Sequence, residues 1–203
     1  MLERIVRDSL RGITVVEEDV GSINRIFSRQ IAEAARLAGM QVCFVTLEEE
    51  AVAMQEAPTI SPRIGGSEDI SATESQARGR SVNAEAMLAS LDYNMIVINA
   101  FSSYFVDKTE RDAVKMIREI KALADQGKSF IINYEPGILS DRATAFLRST
   151  ADNVIIIRTQ IYNERVERSI YVPKVAGEEP LDRLIKVTVD AAGVQEDTRE
   201  FVG

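Results

Sequence analysis

Short apolar runs alternate along the chain with segments whose apolar residues recur every three or four positions, a pattern that predicts strands and helices in turn. Ile13–Glu17 is a β-branched run behind Gly12 and reads as a first strand. From Asn24 to Ala38, residues Phe27, Ile31, Ala34, Ala35 and Ala38 form one helical face, and Gly39 supplies the usual stop. Gln41–Leu47 is almost wholly apolar, as a strand covered on both faces of a parallel sheet should be. Residues Ala57–Arg80 break the rhythm with Pro58, Pro62, Gly65, Gly66 and Gly79 among polar residues, and this stretch reads as a long mobile loop or a loop with a short helix.

Regular pattern returns with a short helix over Val82–Ser90 and a strand over Met95–Ala100. Thr109–Gln126 predicts a helix with Thr109 as N-cap and Val114, Ile117, Ile120 and Ala124 as its buried stripe. Ser129–Asn133 is the next strand and Ser140–Ser149 the next helix. Asn153–Thr159 and Arg168–Val172 flank a polar Asn163-Glu164-Arg165 turn and predict a hairpin. Leu184–Val189 is the last strand, followed by a turn at Asp190–Gly193 and a polar tail. The expected architecture is one α/β domain over residues 1–203, with parallel β-α units and an antiparallel appendage. Its ligand crevice is expected beyond the carboxyl ends of the strands, where Glu17–Arg25, Glu48–Glu50, Asn99–Ser103 and Asn133–Pro136 should meet.

Composition narrows the chemistry. Of 203 residues, 45% are hydrophobic and 28% charged, the balance of an ordinary globular chain. A formal charge of −8 argues against a general grip on nucleic-acid backbones. No histidine is present, which removes the usual general base, the commonest metal ligand and any Ser-His or Cys-His pair. The one cysteine, Cys43, excludes a disulfide within the chain and a thiolate zinc cage, and its mid-strand position suggests an inert core thiol. No apolar run reaches the roughly 18 residues of a spanning helix and the start lacks a signal-peptide core, so a cytoplasmic location is expected.

A strand, a turn containing Gly21-Ser22 and a helix have the layout of a phosphate-binding loop. Gly12–Glu17 followed by Glu18–Arg25 resembles the first strand and P-loop of KaiC-like ATPases in the RecA superfamily. Gln41–Glu49 is similar to the second strand of that family with its paired glutamates, and Asp92–Ser103 to its Walker B strand. Ala151–Ile155, Arg168–Lys174 and Ile185–Gly193 resemble its later strands in order. In size and in its C-terminal end the chain resembles the archaeal FlaH type within that family. The resemblance implies a RecA-like P-loop NTPase fold, with a mainly parallel sheet flanked by helices and a C-terminal antiparallel hairpin.

The departures from the family pattern fall on its chemistry. A working loop uses a lysine on the β/γ-phosphates and a hydroxyl on Mg²⁺. Asn24 and Arg25 stand at those places, Glu18 at the leading glycine and Ile23 at the second glycine. Glu18 and Asp19 add negative charge, and like charges about 4 Å apart cost on the order of 1 kcal/mol even in water. Asn99 stands at the magnesium-binding aspartate, and Lys174-Val175-Ala176 keeps the lysine of an intersubunit Lys-x-Arg pair without the arginine. Glu48 and Glu49 match the catalytic base pair.

Each of these residues also has a plainer reading: Glu48–Glu50 as a solvated acidic turn, Arg25 as a solvent-facing helix residue, and Asn99 as a strand-end turn former. Tyr134 reads as a packing residue beside Pro136, or as a base-stacking one. Arg158, Arg165 and Arg168 read as a subunit-contact surface, or as balance for nearby acids. The expectation is a catalytically inactive pseudo-ATPase acting as a regulator or scaffold through protein partners, as a homo-oligomer or in a mixed ring with an active paralogue. A nucleotide sensor that binds ATP through Gly21, Ser22, Asn24, Arg25 and Asn99 without turnover is the alternative, and an enzyme using Glu48 and Glu49 is the third. No cofactor or metal is expected, and ATP with magnesium, if held, is not expected to be hydrolysed.

Overall fold

In the computed structural model, residues 1–19, 21, 23–47, 52–56, 84–162, 165–181 and 183–198 are described. Their elements run α1 (Leu2–Asp8), β1 (Ile13–Glu18), α2 (Ile23–Leu37), β2 (Val42–Leu47), β3 (Val52–Glu56), α3 (Ala84–Ser90) and β4 (Met95–Asn99). After a 3₁₀ turn at Ser103–Phe105 come α4 (Glu110–Asp125), β5 (Ser129–Tyr134), α5 (Asp141–Thr150), β6 (Asn153–Tyr162), β7 (Arg165–Lys174), β8 (Ile185–Asp190) and β9 (Gly193–Glu196). Nine strands among the described residues form one sheet in the order β3-β2-β4-β5-β1-β6-β7-β8-β9. The five from β2 to β6 are parallel, while β3 on one edge and β7, β8 and β9 on the other are antiparallel.

The pleat divides the apolar runs between two cores. Ile13, Val15, Ile96, Ile98, Phe130 and Ile132 face α3, α4 and α5. Val16, Met95, Val97 and Ile131 face α1 and α2, whose buried stripe is Ile23, Phe27, Ile31 and Ala35. Both faces of β1 are covered and all six of its residues are buried, which is why its sequence shows no polar alternation until its end. The expected Thr109 cap is present, forming a reciprocal capping box with Asp112 on α4, and the structure adds a second cap, Ser140 on α5 through the Ala143 N–H.

Three elements depart from the sequence expectation. The first residues form α1, which Leu2 and Ile5 anchor against α2; two buried residues in seven make too weak a period to stand out. The polar tail contains β9, which folds back on β8 through the Asp190–Gly193 turn and is held by the buried Val194. The edge strand β3 pairs with β2 from Cys43–Glu56 to Leu47–Val52. The expected hairpin is also longer, because β6 and β7 continue past the end of β1, whose last residue, Glu18, pairs with Ile157. The loop expected over 57–80 lies outside the described residues.

Gly12 is at φ 69°, and a Cβ there would run into the Asp152 carboxylate that accepts the Ile13 N–H at 2.8 Å. The residue before β1 must therefore be glycine for β6 to be joined to it this closely.

Candidate functional site

Three of the four expected segments come together beyond the carboxyl ends of β1, β4 and β5. The Phe101 N–H donates to the Asn133 carbonyl at 3.1 Å, and the Glu135 N–H to Ser102 Oγ at 3.0 Å. Between Asn99 and Phe101 the chain turns through Ala100 at φ 51°, a left-handed conformation that a non-glycine residue adopts only under constraint from its surroundings. Glu48, Glu49, Glu50 and Ser22 lie outside the described residues.

Adjacent glutamates at the end of β1 take opposite faces, as the pleat requires. Glu17 turns toward α5. Its Oε2 accepts from Tyr134 Oη at 2.6 Å and from Arg148 Nε and Nη2 at 3.0 and 2.5 Å. Tyr134 is buried, so it packs and bonds here rather than offering a face to a base. Burial, followed by the bond to Glu17, raises its hydroxyl pKa well above the ordinary phenol value, and the same carboxylate raises that of Arg148.

Glu18 turns toward α2 and is 1% exposed. Its Oε2 accepts the Asn24 N–H at 2.9 Å, in the first turn of α2, while Oε1 is buried without a hydrogen-bond partner. Gly21 folds over this oxygen at φ 147°, and a Cβ at Gly21 would collide with Oε1. The carboxyl pKa is raised from 4.5, first by burial; the Asn24 and Ile23 amides and the charge of Arg168 oppose the rise, and Glu135 adds to it. The sequence suggests Glu18 as a repulsive charge beside the expected phosphate position; in the structure its carboxyl group is folded under Gly21 and bonded to the Asn24 N–H.

The substituted motif residues are committed to bonds of their own. Asn24 is buried, and its Oδ1 accepts the Arg25 N–H at 2.6 Å instead of reaching into the crevice. The Arg25 side chain is exposed on α2. Asn99 Oδ1 accepts from Asn133 Nδ2 at 2.8 Å, and Asn133 Oδ1 accepts from Ser28 Oγ at 2.6 Å. This relay ties β4, β5 and α2 together with neutral groups, where the resemblance implies a charged metal ligand. Lys174 sits at the other end of the sheet, paired with Val154 in register. Its Nζ donates to the Arg148 and Ser149 carbonyls at 3.3 and 2.8 Å, so the intersubunit role implied for it would require release from the end of α5.

Among the described residues, those that the resemblance puts at a nucleotide and its magnesium do not supply the charge such a ligand needs. The cradle between β1 and α2 holds a carboxylate of the same charge sign as phosphate, and neither Asn24 nor Asn99 supplies the charge that would hold a γ-phosphate or its metal. Among the described residues no group of three or more acidic or thiol side chains is gathered as a metal site. None of their helices is long and apolar enough to cross a membrane.

Sheet order and flanking helices together give an α/β fold similar to those of a KaiC-like protein and of FlaH. A KaiC-like protein from the hyperthermophilic archaeon Pyrococcus horikoshii superposes with a TM-score of 0.62 at 16% identity, covering 92% of this chain and 89% of that one. The flagellar accessory protein FlaH from Methanocaldococcus jannaschii superposes with a TM-score of 0.61 at 9% identity, covering 93% and 90%. Both likenesses are of fold, and they bear out the expected sheet and its flanking helices. No protein-family model and no curated protein sequence matches the chain.

Proposed function

We propose that this protein is a non-hydrolysing member of the RecA-like fold that acts through the proteins it binds. The observation that carries this reading is Glu18, whose buried carboxylate takes the Asn24 N–H at the start of α2, where the resemblance would put a phosphate group. Phosphoryl transfer depends on positioning the phosphates and neutralising their developing charge. Here the cradle is filled, and the residues at the lysine and aspartate positions are neutral and already bonded. A chain of this architecture without turnover contributes its surface. That one structural relative is described as a flagellar accessory protein supports a supporting role of this kind, alone or beside an active paralogue.

The test is phosphate release from ATP with and without Mg²⁺, read together with melting temperature under nucleotide titration. The expected outcome is no metal-dependent turnover and no stabilisation by ATP, since a ligand that binds the folded state must raise its melting temperature. Metal-dependent turnover overturns the reading. Stabilisation without turnover replaces it with a nucleotide sensor.

A further inference from the structure

We propose that the Glu18 carboxylate is a tethered occupant of an oxyanion cradle that this chain still builds, so that its own side chain holds the loop permanently in the filled shape. Two observations point to the cradle independently. One is the backbone: Gly21 adopts a conformation open to glycine, and the loop delivers the N–H of Asn24, at the start of a fifteen-residue helix, to the Glu18 oxygen. The other is the side chain itself, an acid 1% exposed whose second oxygen is buried against Gly21 without a hydrogen-bond partner. A helix cap accounts for the first oxygen and not for the second. A cap is also the residue next to the first turn, whereas Glu18 ends β1, five positions before α2 begins at Ile23. Gly21 therefore closes over the carboxylate while Asn24 binds it.

The chemistry of the cradle selects its ligand class. Backbone N–H groups and the positive end of a helix favour a small oxyanion. A carboxylate offers oxygens of the same charge sign as phosphate, and attachment to the chain spares it the entropy a free anion loses on binding. Tethering thus explains how an incompletely bonded carboxylate outcompetes phosphate for the site. With Asn24 in place of lysine, the emptied cradle should hold phosphate weakly, through main-chain groups.

The inference rests on the non-hydrolysing reading, because a filled loop has no room for nucleotide phosphates, but the two can fail separately. The experiment titrates inorganic phosphate, at constant ionic strength set with sodium chloride, into the wild type, Glu18→Ala, Glu18→Gly and Glu18→Gln. Melting temperature and ³¹P line width are read. Glu18→Ala and Glu18→Gly should gain a phosphate-dependent rise, roughly 3 °C at ten times the dissociation constant for a chain of this size. The wild type and Glu18→Gln, in which an amide of the same shape stays in the cradle, should show none. If Glu18→Ala is unfolded without anion, its folding on addition of phosphate supports the proposal and failure to fold counts against it. Equal shifts in wild type and Glu18→Ala, or no shift in both shortened variants, overturn the tethered occupant and leave the absence of turnover standing. ATP turnover by the wild type overturns the non-hydrolysing reading whatever the phosphate titration shows.

Discussion

Glu18 is an acid in a place where burial disfavours its charged form, and this gives stability a definite pH dependence. Its pKa is raised in the folded chain from the ordinary 4.5, first by burial. A raised carboxyl contributes stability that is fully present below the unfolded value and is lost as pH rises through the folded one. Glu18→Gln keeps an acceptor for the Asn24 N–H and has no charge to desolvate. The substitution should leave the unfolding free energy nearly unchanged at the acid end and raise it at neutral pH, because the amide carries no charge to desolvate. Urea unfolding of both proteins across the acid range checks the sign; a difference independent of pH would remove Glu18 as its source. The neutral residues Asn24 and Asn99 were legible in the sequence because the resemblance fixes motif positions by spacing. The use of Glu18 was not, because adjacent glutamates look alike until the pleat sends Glu17 to α5 and Glu18 to α2.

Elements are joined here by a few polar contacts whose loss should be measurable. Glu17 on β1, Tyr134 on β5 and Arg148 on α5 share one carboxylate oxygen. Removing Arg148 leaves a buried acid with less compensation, yet the arginine side chain is 42% exposed and water reaches its end of the pair. Arg148→Met should therefore cost about 1–2 kcal/mol, below the range for fully buried pairs. Tyr134→Phe should cost about 1 kcal/mol for the lost hydroxyl bond. The double variant should depart from additivity by more than about 0.5 kcal/mol, because both groups bond the same oxygen. Chemical denaturation of the four-protein cycle measures this. At the start of α4 the capping box makes a simpler case: Thr109→Ala should cost about 1 kcal/mol, seen as a lower denaturation midpoint with unchanged slope. This cap was readable in advance, since a threonine three residues before an acid carries its geometry locally. The short α1 and β9 were not, since Leu2 and Ile5 or the single Val194 acquire meaning only when α2 and β8 stand beside them.

For the molecule as a whole, the proposed function separates assembly from nucleotide. In an ATPase whose subunits are cemented by bound ATP, mass in solution changes with nucleotide; in this protein light scattering after size exclusion should give the same mass with and without ATP and Mg²⁺. A nucleotide-dependent change of mass would mean that the crevice binds nucleotide after all. The alternation of strand and helix, the parallel sheet and the neutral side chains of Asn24 and Asn99 were determined by the sequence alone. Each is written in residues near one another along the chain, as a hydrophobic period or a fixed spacing. Tertiary structure decided the rest: the return of the tail as β9, the relay from Ser28 through Asn133 to Asn99, and the closing of Gly21 over Glu18. These depend on which face a strand residue takes and on what the fold brings opposite it, and neither is a local property of the chain.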